Sequence, residues 1–173
     1  FSSGSRKNIA TADVMRFLAA GISVATVDYR FMGQTTLDEI IRDVARSVQY
    51  LRYRNKDFHI DPDRVVCYGS SAGAGASLWL AFHQDIADPE NADPVLTMSS
   101  RITAAGAIAT QATYDFSRWP GILGLPRFVV SIGRRTAFRS FFSWHQDLYG
   151  MTYDEAAVSE RGRKLRRFLD IEG

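Results

Sequence analysis

Ser71 stands at the centre of Gly69-Ser70-Ser71-Ala72-Gly73, a G-x-S-x-G spacing. A serine hydroxyl is a weak nucleophile until a base takes its proton. It becomes a useful one when a sharp strand-to-helix turn pushes it out of a sheet, and glycine at both second neighbours leaves room for strand and helix to cross there. The flanking residues fit that need. Arg64-Val65-Val66-Cys67-Tyr68 is an apolar, β-branched lead-in, and Ala74-Gly75-Ala76-Ser77-Leu78-Trp79-Leu80-Ala81-Phe82 is a small-residue helical lead-out. The same spacing also turns up in glycine- and serine-rich loops, so the preceding strand and following helix carry the reading. A phosphate-binding loop needs a lysine, and none lies between Gly69 and Ser77. A dinucleotide fingerprint needs a third glycine where Leu78 stands after Gly73-Ala74-Gly75.

The elements that must position Ser71 can be read from periodicity. Residues 9–20 read as a helix, with Val14, Phe17 and Leu18 at helical spacing and Gly21 ending it. Residues 22–28 are β-rich and mostly apolar, as a buried parallel strand is. Residues 36–54 read as a helix. Thr36 and Glu39 have capping-box spacing, and Ile40, Val44, Val48 and Leu51 form one apolar stripe. Asp61-Pro62-Asp63 is a turn. A strand over 64–69, a helix over 72–85, a polar loop over 88–100 and a strand over 103–110 complete the series. The alternation α–β–α–β–α–β predicts an α/β fold: a three-layer α/β/α sandwich with a mainly parallel sheet, the 64–69 strand lying between 22–28 and 103–110. Catalytic groups in such sheets lie at the carboxyl ends of the strands. Here those ends are Asp28-Tyr29-Arg30, Ser70-Ser71-Ala72 and Thr113-Tyr114-Asp115.

Composition narrows the function. A 173-residue chain with 46% hydrophobic residues suits one domain with a real core. A net charge of +2 gives no broad case for a nucleic-acid partner. The single cysteine, Cys67, excludes an internal disulfide, and its place in a predicted central strand marks a buried structural thiol. No stretch reaches the roughly 18 apolar residues of a membrane span. Nothing in the sequence requires a cofactor or a metal.

The last third changes character. Residues 116–150 are rich in aromatics and arginines, which reads as a cap packing its rings over a pocket, with a membrane or nucleic-acid surface as the alternative. Thr152 and Glu155 have capping-box spacing and open a helix over about 153–169. Its basic end, Arg163 to Arg167, is favoured by the helix dipole and reads as a solvated face. The domain division expected is therefore a core over 1–115 and a cap-like or peripheral helical segment over 116–173.

Taken together, Asp28-Tyr29-Arg30, Asp61-Pro62-Asp63-Arg64-Val65 and Gly69-Ser70-Ser71-Ala72-Gly73 resemble the α/β-hydrolase superfamily. The likeness is to esterases and lipases of the hormone-sensitive-lipase and carboxylesterase type, and it runs from residue 1 to about 115. The resemblance implies a carboxylic ester hydrolase acting on a small-molecule ester, with Ser71 as nucleophile and the Ala72 backbone N–H in the oxyanion hole. A peptidase or deacetylase on the same scaffold, or a binding domain without catalysis, are the alternatives. In the family a His-Gly-Gly-Gly stretch precedes an aromatic residue, and Phe1-Ser2-Ser3-Gly4 looks like the residues just after that stretch. The resemblance thus implies the middle of a hydrolase, cut at both ends and inactive by itself. On that reading Ile22, Val24 and Ala107 are expected to be uncovered.

The family's relay runs in the chain order serine, acid, histidine. His59 precedes the strand and reads as a loop cap. His83 lies about 18 Å along the helix from Ser71 at 1.5 Å per residue, out of hydrogen-bond range. His145 comes late enough, and Asp115 ends the next strand, so these two are the acid and base available in this chain. Packing beside Trp144 is the competing role for His145, and ordering its own turn that for Asp115. Asp28 and Arg30 read as a structural ion pair.

Overall fold

A computed structural model describes residues 1–110, 113–114, 119–124, 146–151, 155 and 158–170. After a single 3-10 turn at Arg6–Asn8 come helices α1 (Thr11–Ala19), α2 (Leu37–Tyr53) and α3 (Asn55–Phe58). Strand β1 (Val66–Ser70) leads into α4 (Ala72–Phe82), and β2 (Ala104–Ile108) comes next. Later in the chain come α5 (Trp119–Ile122) and α6 (Glu160–Leu169).

The apolar stripe of α2 does what its spacing requires. Leu37, Ile40, Ile41, Val44, Ala45 and Val48 are all buried. All but Ile40 join Ala76, Trp79 and Leu80 of α4, Val65 just before β1, and Tyr114, Leu148, Met151 and Leu169 in one core. Below α2, Gln49 Nε2 donates to the carbonyls of Leu96 and Met98 at 3.3 and 2.7 Å. Arg52 Nη1 reaches the Ser99 carbonyl at 2.8 Å. These bonds hold the polar 88–100 loop against the helix and satisfy its backbone. At the far end, α6 is capped by Ser159, whose Oγ accepts from Gly162 N–H at 3.0 Å. Trp79 Nε1 donates to the Phe168 carbonyl at 2.6 Å, and the Arg42 guanidinium sits 4.4 Å above the Phe168 ring.

β1 and β2 pair in parallel, from Val66↔Ala104 to Ser70↔Ile108, with α4 packed on both. Cys67 and Gly69 lie toward the covered face. Val66, Tyr68 and Ile108 lie on the other and are 61%, 60% and 52% exposed. Ile22 and Ala107 are exposed, as expected, while Val24 is half-buried. No helix among the described residues is long and apolar enough to cross a membrane.

Several expectations are corrected. Residues 22–30 form no strand, so β1 does not lie between two others in the described sheet. β-branched sequence favours an extended chain, but a strand also needs a neighbour to complete its ladder. No described segment exchanges backbone hydrogen bonds with residues 23–28. It is held at its end instead, through Asp28 and Arg30. Those two residues are not a pair either. Asp28 accepts from Arg6 N–H at 2.6 Å and meets the Arg6 guanidinium at 3.2 Å. Arg30 grips Asp43 and Glu39 on α2. That grip undoes the expected capping box. Thr36 is the N-cap of α2, but its hydroxyl donates to Asp38 at 2.6 Å and Glu39 is turned toward Arg30. The helix after Ser71 stops at Phe82, three residues short of the expected end. The late helix is interrupted by a bend at Ser159 and restarts at Glu160. Thr152 lies outside the described residues.

Candidate active site

The site is built from one turn. β1 ends at Ser70, and α4 begins at Ala72. Between them Ser71 takes φ 51° and ψ −116°, a conformation that residues with a Cβ rarely adopt. The turn is held from three sides. Ser71 N–H donates to the Ile108 carbonyl of β2 at 2.9 Å, and Ser71 C=O accepts from Gly75 N–H at 3.1 Å. Gly69 provides the third. A Cβ there would stand 2.6 Å from the Gly73 carbonyl carbon and 2.9 Å from its Cα. The strand and helix backbones therefore cross at a distance only glycine permits at position 69.

Ser71 is exposed, and its hydroxyl has no hydrogen-bond partner among the described residues. The Ser71 side chain does not cap α4, so it leaves the N–H groups of the first turn to other acceptors. Such N–H groups at a helix start favour negative charge. An outward hydroxyl beside such N–H donors can attack a carbonyl and steady the oxygen that becomes charged.

Two of the three histidines fall among the described residues, and neither reaches Ser71. His59 is the left-handed C-cap of α3, φ 51°, and comes seven residues before β1 begins, whereas Ser71 follows the other end of β1. Five strand residues put about 16 Å between those ends. His83 ends α4, where its ring stacks on Trp79 at 4.1 Å and Nδ1 lies 3.0 Å from the Gln84 carbonyl. Asp115 and His145 lie outside the described residues. No group of three or more histidine, cysteine or acidic side chains among the described residues could hold a metal ion.

Cys67 lies two residues before Gly69 on the covered side. Burial pushes its thiol up to about 11, with Arg52 pulling weakly the other way. It is a packing residue rather than a competing nucleophile. A groove of about 590 Å³ is lined by Ser5, Asp28, Tyr29, Arg30, Phe31 and Asp43, and Ser71 is not part of its wall. Burial pushes the Asp43 carboxyl up, but hydrogen bonds from the Arg30 side chain and backbone outweigh it and hold it below the ordinary range. This Arg30 clamp ties the Asp-Tyr-Arg run to α2 and was missed from sequence. Its signal was the excess of acids, Asp38, Glu39 and Asp43, on the first half of α2. Tyr29 and Tyr114 both flank Phe1, with ring centroids 5.9 and 5.7 Å from it. Burial raises the Tyr114 phenol far above its usual range.

The family model BD-FAE matches residues 1–122. A probable isoprenylcysteine alpha-carbonyl methylesterase of Arabidopsis thaliana is 30% identical over 83 residues, covering 48% of this chain and 17% of that protein. A second Arabidopsis protein of that description is 35% identical over 65 residues, 38% of this chain and 15% of its own length. Among solved structures, the acetyl ester-xyloside bifunctional hydrolase of Caldicellulosiruptor lactoaceticus superposes with a TM-score of 0.53 at 27% identity. The match covers 62% of this chain and 40% of the hydrolase. Esterase Est2 of Thermogutta terrifontis shares the fold, with a TM-score of 0.51 at 23% identity over 63% of this chain and 38% of its own.

Proposed function

Because the chain belongs to the BD-FAE family and has an α/β-hydrolase fold, we propose that it is part of a serine hydrolase of carboxylic esters. The carrying observation is Ser71: a left-handed, exposed serine between a strand and a helix, held by Ile108, Gly75 and the Gly69–Gly73 crossing. In the proposed reaction Ser71 Oγ bonds to the ester carbonyl carbon while a histidine takes its proton. The carbonyl oxygen becomes an oxyanion and accepts from the Ala72 N–H. Collapse breaks the bond to the alcohol, which leaves with the proton from the histidine, and water then releases the acyl group by the same route. The hydrolase relatives at 27% to 35% identity support a small ester as substrate.

The chain spans 17% and 15% of the curated relatives and about two fifths of the solved esterases. We therefore assign turnover to the complete protein. The division proposed is an α/β-hydrolase core over 1–115 and a further segment over 116–173, whose Leu148, Met151 and Leu169 complete the same hydrophobic core. Neither His59 nor His83 can serve as base from where it sits. Asp115 and His145 keep the required chain order and are the acid and base to test within this chain. Our reading is that the 173 residues alone turn over no ester.

The test uses p-nitrophenyl acetate and an organophosphonate probe on the complete protein and on its Ser71→Ala variant. Loss of about 10⁴-fold or more in kcat, with loss of labelling, is expected. Full turnover by Ser71→Ala would overturn the nucleophile. Ser71-dependent turnover by the 173-residue chain would instead make Asp115 and His145 the working pair. The absence of a base near Ser71 among the described residues favours a second reading, a binding domain that has lost catalysis. That reading expects no probe labelling even in the complete protein.

A further inference from the structure

Three residues other than glycine have positive φ among the described residues: His59, Ser71 and Ala109. His59 ends a helix, where a left-handed residue is common. The other two face each other. The β1–β2 register ends with Ser70↔Ile108, so one further step places Ser71 opposite Ala109. Their φ angles are 51° and 52°. Both strands leave the sheet at the same rung by the same reversal of φ. The bond between Ser71 N–H and the Ile108 carbonyl, 2.9 Å long, continues the ladder to that rung.

Ala109 makes this arrangement work from the β2 side. Its own φ directs the chain away immediately after Ile108, so the Ile108 carbonyl stays aimed at Ser71 while β2 ends. Alanine in the left-handed region is strained, and strain of that kind persists only where its surroundings impose it. Ala109 is exposed and absent from the buried core, so packing of its methyl group is not the reason for it.

We infer that Ala109 is a positioning residue for Ser71: its left-handed bend fixes the Ile108 carbonyl, which fixes the Ser71 backbone and so the direction of the hydroxyl. The inference rests on the reading of Ser71 as nucleophile. It adds a control point on a different strand, 38 positions later in the chain.

The test is a substitution series at 109 in the complete protein, read by kcat and KM for p-nitrophenyl acetate, by the rate of organophosphonate labelling and by thermal melting. Ala109→Gly and Ala109→Asn accept positive φ; Ala109→Val resists it strongly. Valine is expected to lower kcat and the labelling rate about tenfold or more, with KM within about twofold and melting lowered by only a few degrees, since a shift near 1 Å costs up to about 100-fold in rate. Glycine and asparagine should recover the activity that valine loses. If the valine variant does not fold, Ala109→Ser and Ala109→Thr replace it, and kcat must fall in that order. A folded valine variant with unchanged kcat, a serine–threonine pair without that order, or glycine and asparagine variants as impaired as valine, would overturn the inference. Ser71→Ala runs alongside. If it retains full turnover, the nucleophile reading fails and this inference with it; if it is dead while the 109 series is flat, only the positioning role fails.

Discussion

Adding a single methyl group at Gly69 or at Gly73 should have opposite results. A Cβ on Gly69 would meet Gly73 C at 2.6 Å, its O at 2.8 Å and its Cα at 2.9 Å, all backbone atoms that cannot rotate away. Ordinary contact begins at 3.4 Å, so the start of α4 must back off from β1 by about 0.8 Å. Overpacking of that kind costs about 1–3 kcal/mol. About 2 kcal/mol lowers Tm by about 4–8 °C in a protein of about 150–250 residues, and by less in the longer complete protein. The protein stays folded, since that is a fraction of a typical total of about 5–15 kcal/mol. Ser71 lies within the displaced segment, and a shift near 1 Å is worth about 100-fold in rate. Gly73 faces the other way, and a Cβ there meets nothing within 4 Å. Ala there gives up unfolded-state freedom and raises stability by up to about 1 kcal/mol. Thermal melting and p-nitrophenyl acetate turnover of both variants in the complete protein check this. If Gly73→Ala is as damaging as Gly69→Ala, or if Gly69→Ala is silent in both assays, the reasoning about the crossing is wrong.

Four other outcomes are expected. With its thiol near 11, Cys67 is about one part in a thousand thiolate at pH 8; alkylation by iodoacetamide should be slow in the native protein and fast after unfolding. Asp43 has its pKa lowered in the fold, so its contribution is present above the ordinary carboxylate pKa and fades as pH falls through the folded value. Asp43→Asn should cost about 1 kcal/mol at neutral pH and flatten the acid limb of a melting-temperature profile. Ser159→Ala removes the cap of α6 and should cost about 1 kcal/mol in denaturant titrations. Trp79→Phe removes the donor to the Phe168 carbonyl and should cost about 1–3 kcal/mol. Amide exchange in α6 should then accelerate more than in α2.

What the sequence revealed was local. The turn at Ser71 could be read because Gly69, Ser71 and Gly73 impose their conformation over five residues. The buried face of α2 could be read because Ile40, Val44 and Val48 repeat at helical spacing. The parallel pairing of β1 with β2 could be inferred from a helical crossover between two apolar runs. What failed depended on partners distant in the chain. Residues 22–28 have strand-like composition, but composition supplies no neighbour to complete a ladder. Glu39 has capping-box spacing, yet an arginine nine residues earlier takes its carboxylate. Asp28 and Arg30, two apart in sequence, answer to Arg6 and to α2. The left-handed bend at Ala109 had no signal at all, because nothing about an alanine announces positive φ. Asp115 and His145 fall outside the described residues.

The bond from Trp79 to Phe168 joins residues 89 positions apart, and in a growing chain that separation is a delay. Helix α4 is apolar on nearly every side. It emerges with one neighbour, α2, already made, but the helix that covers Trp79 is not yet synthesised. At about 5–20 residues per second, Phe168 follows Trp79 by on the order of 4–18 s. Hydrophobic collapse takes microseconds and a hairpin about as long, so the interval is long enough for α4 to meet other chains many times. Stability of the finished fold does nothing to shorten it. Slower collisions or a protein that holds the nascent chain shield α4 while it lasts, and yield in the cell should therefore depend on chaperone supply more than on melting temperature.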